Sequence, residues 1–445
     1  MTVLTSSTTS PYVVVGLDNG GTSNNATVLD ATGSYLVDHL VEVPSRVLEG
    51  PQAAVGALVQ ALERVLAVTG VPLTSVRAVG LDTPGPASTV GVISSKGATN
   101  FSQREWWGFD IRTALQDRLS LPVVYNNDGN AAALYAHHLH FGADAPERSS
   151  VAAIIGTGLG GGLVESGRVV KGAAGMGGEL GHVHIPTHRL LEPGQPMPQC
   201  NCGFEGDAES IASLTGIRLN LLPYWLSRFP DHPLHGVDPL TAGHAVRGLG
   251  EGGDPMALAV FEQQAKALGA LFTIVGNVTD PDAYFVGGGL VESAPHFRDW
   301  FLDTVRTHTL LREEQRGAAF ALVPDLDKAG ARGSALAALA LVQEAVADGA
   351  RPGDDSSHAP QTPARDATHI SRRRDAPGVT PAAASTPSAT QALASPRGPR
   401  IGTLTPRSLR CTARPRRTPR TPRGARTARL TPATRRPRAP ARTHR

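Results

Sequence analysis

Tyr12-Val13-Val14-Val15-Gly16-Leu17-Asp18-Asn19-Gly20-Gly21-Thr22 is a short apolar run that ends in an acidic, glycine-rich turn. Tyr12 to Leu17 is dense in β-branched residues and reads as a buried strand. Two further strand-like stretches follow the turn, Ala26 to Asp30 and Tyr35 to Val41. Glycines let backbone N–H groups converge on an anion, and a threonine hydroxyl adds a donor. Such a turn either closes a hairpin or grips a phosphate, and alone it does not say which.

Downstream, Val55, Leu58, Val59, Leu62, Val65 and Leu66 share one face of a helix over Pro51 to Thr69. Pro51 suits its first turn and Gly70 its C-terminal cap. A strand over Val76 to Leu81, a helix over Ile111 to Leu119, a strand over Val123 to Tyr125 and a helix from about Gly129 to His140 complete a β-β-β-α-β-α-β-α order. The pattern restarts with strands at Val151 to Ile155, Leu163 to Glu165 and Arg168 to Val170. A helix over Met256 to about Asn277, a strand over Ala283 to Val286 and a last helix over Gly333 to Val346 follow. The restart predicts two related α/β lobes with a cleft between them, although no sequence repeat is visible.

The restart carries its own glycine turn, Gly156-Thr157-Gly158-Leu159-Gly160-Gly161-Gly162. Gly156, Gly158 and Gly161 fit the G-x-G-x-x-G dinucleotide fingerprint, but that motif needs a helix after the glycines. Here a strand follows, so a hairpin turn that grips phosphate is the better reading. No G-x-x-x-x-G-K-[ST] loop is present. A third cluster, Gly287-Gly288-Gly289, ends a strand and would let backbone lie close to a flat ligand such as a nucleoside.

Charge is unevenly spread. Residues 351–445 hold 21 arginines, no lysine and four aspartates, which leaves residues 1–350 at −14 under a total of +3. The tail has almost no large apolar residues, so disorder is expected over 349–445. Arginine-rich chain attracts nucleic-acid phosphates non-specifically. The tail has no Trp, Tyr or Phe for base stacking, so no nucleic-acid function is assigned to it, and reading-frame drift in a GC-rich gene would yield the same composition. Met1 to Pro11 lacks the basic and apolar regions of a signal peptide. No uninterrupted apolar run approaches the roughly 20 residues of a membrane span. Three cysteines, Cys200, Cys202 and Cys411, make no disulfide framework, and Cys200-Asn201-Cys202 resembles half a metal site. Together these point to a cytoplasmic protein without a membrane partner.

With these turns in place, the sequence resembles the ROK family (repressor, open reading frame, kinase) of the actin and hexokinase superfamily. The matching segments are Asp18-Asn19-Gly20-Gly21-Thr22, Pro84-Gly85-Pro86, Asn126-Asn127-Asp128-Gly129-Asn130-Ala131, Gly156-Thr157-Gly158-Leu159-Gly160 and Gly178-Glu179-Leu180-Gly181-His182. Cys200-Asn201-Cys202-Gly203 with Glu209, and Asp280-Pro281-Asp282 leading to Gly287-Gly288-Gly289, complete the series in family order over about residues 11–346. The resemblance implies two ribonuclease-H-like (actin-like ATPase) lobes, 11–128 and 129–348, with the last helix packing back on the first. It also implies a glucokinase-like, ATP- and Mg²⁺-dependent sugar kinase, commonly dimeric.

Residue roles follow from the same resemblance. Asp128, at a strand end before a helix, is the expected general base; a purely structural helix cap is its alternative duty. Asp18 faces the phosphates through Mg²⁺, with Gly20, Gly21, Thr22, Gly156, Thr157, Gly158 and Gly160 around them and Gly287, Gly288 and Gly289 at the nucleoside. Asn127, Glu179, His182 and Glu209 meet the sugar, with Asn100 a further candidate. His182, Cys200 and Cys202 resemble three ligands of the family's structural zinc site, and Asp207 stands where a third cysteine is usual. The family usually has an aliphatic residue in place of Asn19, and the stretch from His182 to Cys200 is longer than usual, with His184 and His188 added.

Two rivals belong to other classes. Repressors of the family carry a helix-turn-helix ahead of the kinase-like body, but about eleven residues precede the first strand here. A phosphotransferase for a carboxylate or polyol would not need the Glu179, His182 and Glu209 set. The expected reaction is phosphorylation of a hexose hydroxyl, glucose first, with fructose, mannose, allose and N-acetylhexosamines as alternatives.

Overall fold

The computed structural model describes residues 12–95, 99–101 and 103–347. The arginine-rich tail and Cys411 lie outside the described residues.

The opening run forms β1 (Val13–Asn19), which turns through Gly20–Thr22 into β2 (Ser23–Asp30). β3 (Val41–Pro44) pairs with the first half of β2, Ser23 opposite Pro44 and Ala26 opposite Val41. The strand expected over Tyr35 to Val41 is therefore displaced. Only Tyr35 bridges β2, at Leu29, and the Arg332 guanidinium stacks 4.4 Å over its ring. Pairing with β2 resumes only where the chain returns at Val41. α1 (Pro51–Thr69), β4 (Val76–Thr83), α2 (Ile111–Leu119), β5 (Val123–Asn127) and α3 (Asp128–Phe141) follow. The sheet order is β3-β2-β1-β4-β5, with β4 parallel to both β1 and β5.

β6 (Ser150–Ile155), β7 (Leu159–Glu165) and β8 (Arg168–Val169) open the second sheet. Short helices α4 (Glu209–Ala212), α5 (Leu214–Gly216) and α6 (Leu222–Arg228) precede α7 (Pro239–Glu251) and α8 (Pro255–Thr279). β9 (Ala283–Gly288), α9 (Pro295–His308), β10 (Ala319–Leu322) and α10 (Leu326–Ala347) end the described chain. The order β8-β7-β6-β9-β10 repeats the first sheet strand for strand: two antiparallel pairs, then two parallel ones. The restart read at Val151 is thus a topological repeat. α8 is apolar and long enough to cross a membrane, but Val260, Leu268, Leu271 and Phe272 are buried in the core beneath the second sheet.

β6 and β7 form an antiparallel hairpin, as the strand-after-glycine reading required. Its turn is tighter than expected, because Gly160, Gly161 and Gly162 belong to β7 itself. The reason is close packing. A Cβ on Gly162 would lie 2.6 Å from Ala133 on α3, and one on Gly161 would lie 2.5 Å from the Ala152 carbonyl. Gly162, and Gly161 against Gly129 of α3, therefore bring helix and sheet together rather than extend the turn, while Gly160 has open space beside it.

One apolar cluster lies under the first sheet with α1 and α2, another under the second with α8 and α9. A third joins residues of both sheets, including Val14, Ala78, Ala152 and Phe285, through α3 and α10. α10 begins seven residues earlier than expected and lies directly on the first sheet: Gly16 and Gly80 face the backbone of Ala331 and Ser334 with no room for a Cβ.

Candidate active site

Parallel pairing sets the site. Asp18 lies opposite Asp82 on β1 and β4, and Thr83 lies opposite Asn127 on β4 and β5. Parallel strands end at the same sheet edge, and open α/β sheets bind ligands at the carboxyl ends of their strands. β5 runs straight into α3. Asn127 caps that helix, its Oδ1 accepting from Asn130 N at 2.8 Å, and Asp128 is the first helical residue.

Asp18, Gly20, Asn127, Asp128, Gly156, Thr157, Gly158, Gly160, Glu179, His182 and Glu209 all line one cleft of about 1040 Å³. The two glycine turns and the Glu179–His182 loop, far apart in sequence, meet there. Gly158 allows Glu209 to reach the second turn: its carboxylate accepts from Leu159 N at 2.9 Å, and a Cβ on Gly158 would lie 2.6 Å from the same oxygen. Asn127 Nδ2 donates to Glu179 Oε1 at 3.3 Å, which fixes two candidate sugar groups against each other.

Other expected residues stand apart from this lining. Thr22 is exposed beyond the β1–β2 turn, its carbonyl accepting from Ser45 N at 3.0 Å. Asn100 covers Gly21, and a Cβ there would strike its amide. Gly287 packs against Leu326 and Ile154, Gly288 against the β6 backbone, and Gly289 accepts through its carbonyl from Arg247. Asn19 is buried and donates to Asn24 directly across the hairpin, which explains a polar residue in that place.

The structure adds residues that were not expected. Asp82 is fully buried at the end of β4, and α10 contributes Leu326, Ala329 and Gly330 to the cleft. Asp82 Oδ1 accepts from Ser334 Oγ at 2.8 Å, which ties α10 to the sheet. A carboxylate at the end of an apolar strand parallel to β1 was the available signal.

Charge in the cleft is one-sided. Asp18, Asp82, Asp128, Glu179 and Glu209 line it, and neither Lys nor Arg does among the described residues. Asp128 Oδ1 accepts from Gly129 N at 2.8 Å. Its side chain opens to the cleft, but protein surrounds it on the other sides, so water solvates it only from one direction. This desolvation raises its pKa to about 6; the Gly129 N–H opposes the rise, and Asp18 and Glu179 add to it. Burial likewise raises Asp18, against the pull of Asn25 Nδ2 donating at 2.9 Å. Burial and the neighbouring Asp18 push Asp82 well above the carboxylate range.

Beside the cleft, His182 Nδ1 lies 3.3 Å from Asp207 Oδ2 and 3.9 Å from Cys200 Sγ. Cys202 Sγ lies 3.5 Å from the same Asp207 oxygen, and all four ligand atoms fall within 4.8 Å of one another. Tetrahedral zinc with bonds of about 2.0–2.3 Å sets its ligands about 3.3–3.8 Å apart. The donor types suit that ion, and the two contacts to Asp207 have its spacing, while other separations in the set are wider. Asp207 is fully buried, and its hydrogen bond to His182 raises the imidazole pKa to about 9 despite the ring's partial burial.

The ROK family model matches residues 14–344. A glucokinase of Halalkalibacterium halodurans is 30% identical over 300 residues, covering 66% of this chain and 84% of the relative. Among solved structures, a ROK hexokinase from Thermus thermophilus is 34% identical with a TM-score of 0.59, covering 75% of this chain and 99% of that one. A ROK glucokinase from Streptomyces griseus, in complex with glucose and AMPPNP, is 26% identical with a TM-score of 0.52, covering 73% and 99%.

Proposed function

This chain belongs to the ROK family, and on that premise we propose that it is a sugar kinase that transfers the ATP γ-phosphoryl group to a hexose hydroxyl. Glucose and its 6-hydroxyl are the favoured acceptor, since the two glucokinases it resembles carry that name and one holds glucose. The observation that carries the reading is the cleft. It brings a carboxylate at a helix start, two glycine turns and the Asn127, Glu179 and Glu209 set together from distant segments.

The sugar hydroxyl donates to the free oxygen of Asp128 as its own oxygen attacks the γ-phosphorus. The bond from that phosphorus to the bridging oxygen breaks, ADP leaves, and the proton ends on Asp128. The Gly129 N–H holds the other carboxylate oxygen and so fixes the direction of approach. Asn127, Glu179, His182 and Glu209 hold the remaining hydroxyls. The N–H groups of both glycine turns face the phosphates. An acidic lining with neither lysine nor arginine among the described residues would repel a polyanionic nucleotide, so the donor set favours a hard divalent cation beside Asp18. Mg²⁺ there neutralises phosphate charge when bound.

The pH dependence follows from Asp128. The base works only ionised, and its raised pKa moves the loss of activity to higher pH than an ordinary carboxylate would. kcat/KM for the sugar is expected to be flat above about pH 6.5 and to fall about tenfold per unit below about pH 6. A profile that stays flat to pH 4.5 in folded protein would exclude Asp128 as the base.

His182, Cys200, Cys202 and Asp207 would hold a structural zinc ion, which would take the place of the proton on His182 and of those on the thiols. Cys200→Ser is expected to release zinc and lower the melting temperature of the cleft-side loop. Elemental analysis showing no zinc in wild-type protein, with unchanged melting in the variant, would remove the ion.

A further inference from the structure

A second cavity, of about 220 Å³, lies where the edges of the two sheets meet. β5 is the last strand of one sheet and β8 of the other, and α3 and α10 close the space between them. Its wall shares no residue with the cleft. Most of that wall is apolar, from Leu134 of α3, Val169 of β8 and Leu336 and Leu341 of α10. Two polar side chains interrupt it, Lys171 and Asn126, and the protein leaves both short of partners.

Lys171 follows β8, and its Nζ donates to the Tyr125 carbonyl of β5, so it spans the two edges. An ammonium has three N–H donors, which leaves two unused. Burial lowers its pKa to about 8, and the charge of Arg112 adds to the fall, yet it keeps most of its proton at neutral pH. Among the described residues no carboxylate pairs with it. Glu344, the acid of the same wall, is bound to Arg168 at 2.9 Å on the solvent side. His138 supplies no counter-charge either: its Nδ1 donates to the Leu134 carbonyl at 3.0 Å, and burial lowers its pKa.

Asn126 is next in the chain to the carbonyl that Lys171 holds. It is 2% exposed, and neither its Oδ1 nor its Nδ2 has a hydrogen-bond partner. Alternation along β5 turns Asn126 to the same side as Val124, and both line this cavity. Buried polar groups without partners are costly, and an ammonium without a counter-ion more so. An apolar wall with one uncompensated ammonium and one idle amide suits a ligand with a carboxylate head and a short hydrocarbon body.

We propose that this cavity is a second ligand site, which takes a small amphipathic monocarboxylate. Its head sits at Lys171 and Asn126, and its body lies among Leu134, Val169, Leu336 and Leu341. The site does not rest on the kinase reading.

The test is calorimetric titration of the full chain with hexanoate. Wild type is expected to bind one hexanoate per chain. Acetate, which lacks the body, and hexanol, which lacks the head, are each expected to bind at least about tenfold more weakly. Lys171→Met keeps the aliphatic stem and removes the charge, and is expected to weaken hexanoate binding by about tenfold or more. Ala337→Leu, which fills the cavity from α10, is expected to abolish it. Melting curves show which variant is folded, and either one alone suffices. Saturating glucose and MgATP are expected to leave hexanoate bound. Wild type without saturable binding would overturn the proposal, as would a folded Lys171→Met that binds like wild type, or displacement by glucose or MgATP. Phosphate binding as tightly as hexanoate would overturn it too, since the apolar wall would then play no part. A chain that binds hexanoate in this way but phosphorylates no sugar would sink the kinase reading and leave the second site standing.

Discussion

Asp128→Asn is expected to lower kcat by about 10²–10⁴, the range that a positioned general base supplies. The change is nearly isosteric. An asparagine oxygen still accepts from Gly129 N, so the start of α3 keeps its geometry. What disappears is the proton acceptor, together with a negative charge that Asp18 and Glu179 both oppose. Folding is therefore expected to hold or improve slightly, and the sugar KM to change little, because the other sugar-facing groups stay in place. The measurement is a coupled ADP-release assay with MgATP across hexoses and N-acetylhexosamines, with melting curves for both proteins. Sugar-dependent turnover that the variant loses would establish the base and identify the acceptor together. Near-normal turnover in the variant would remove Asp128 from the mechanism. A folded wild type with no turnover on any sugar would favour a sugar-sensing role for the chain.

Gly80→Ala is expected to be among the most destabilising single substitutions in the chain, costing more than about 3 kcal/mol. Gly80 lies in the middle of β4, and its missing Cβ is replaced by the backbone carbonyl of Ser334 on α10. A flexible side chain could swing aside, but a helix backbone cannot move alone. α10 would have to lift from β1 and β4 along its length, straining the Ser334–Asp82 hydrogen bond and opening the apolar cluster shared by the two sheets. Gly56→Ala serves as the contrast. Gly56 lies inside α1 with nothing within 4 Å of an added Cβ, so that change is expected to stabilise by about 0.5–1 kcal/mol through helix propensity. Chemical denaturation of the two variants checks both signs. Equal, small effects would mean that the contact between α10 and the sheet is loose.

Much of this protein was legible in its residues. The amphipathic spacing of Val55, Leu58, Leu62 and Val65 placed α1 to the residue, since a helix face repeats locally and needs no distant partner. Asp128 at a strand–helix junction and the glycine turns were legible for the same reason: their geometry depends on neighbours in sequence. β3 was displaced because a strand exists only where a partner accepts it, and β2 offers its first half to Val41–Pro44. Gly161 and Gly162 were read as turn because nothing local reveals that α3 presses on β7 there.

The sequence by itself therefore determined the order of elements in the first sheet and its restart, the hairpin after β6, and the cleft residues that sit in recognisable turns, but not α4 to α7, α9 or β10. Tertiary structure decided what those turns face. Asp82 is one acid at the end of an apolar strand until parallel register with β1 sets it beside Asp18, and Gly330 is one small residue in a helix until α10 lies across both. Local periodicity and turn chemistry act over a few residues and are written along the chain. Convergence of charges from segments hundreds of residues apart depends on sheet register and helix docking, which the folded chain settles as a whole.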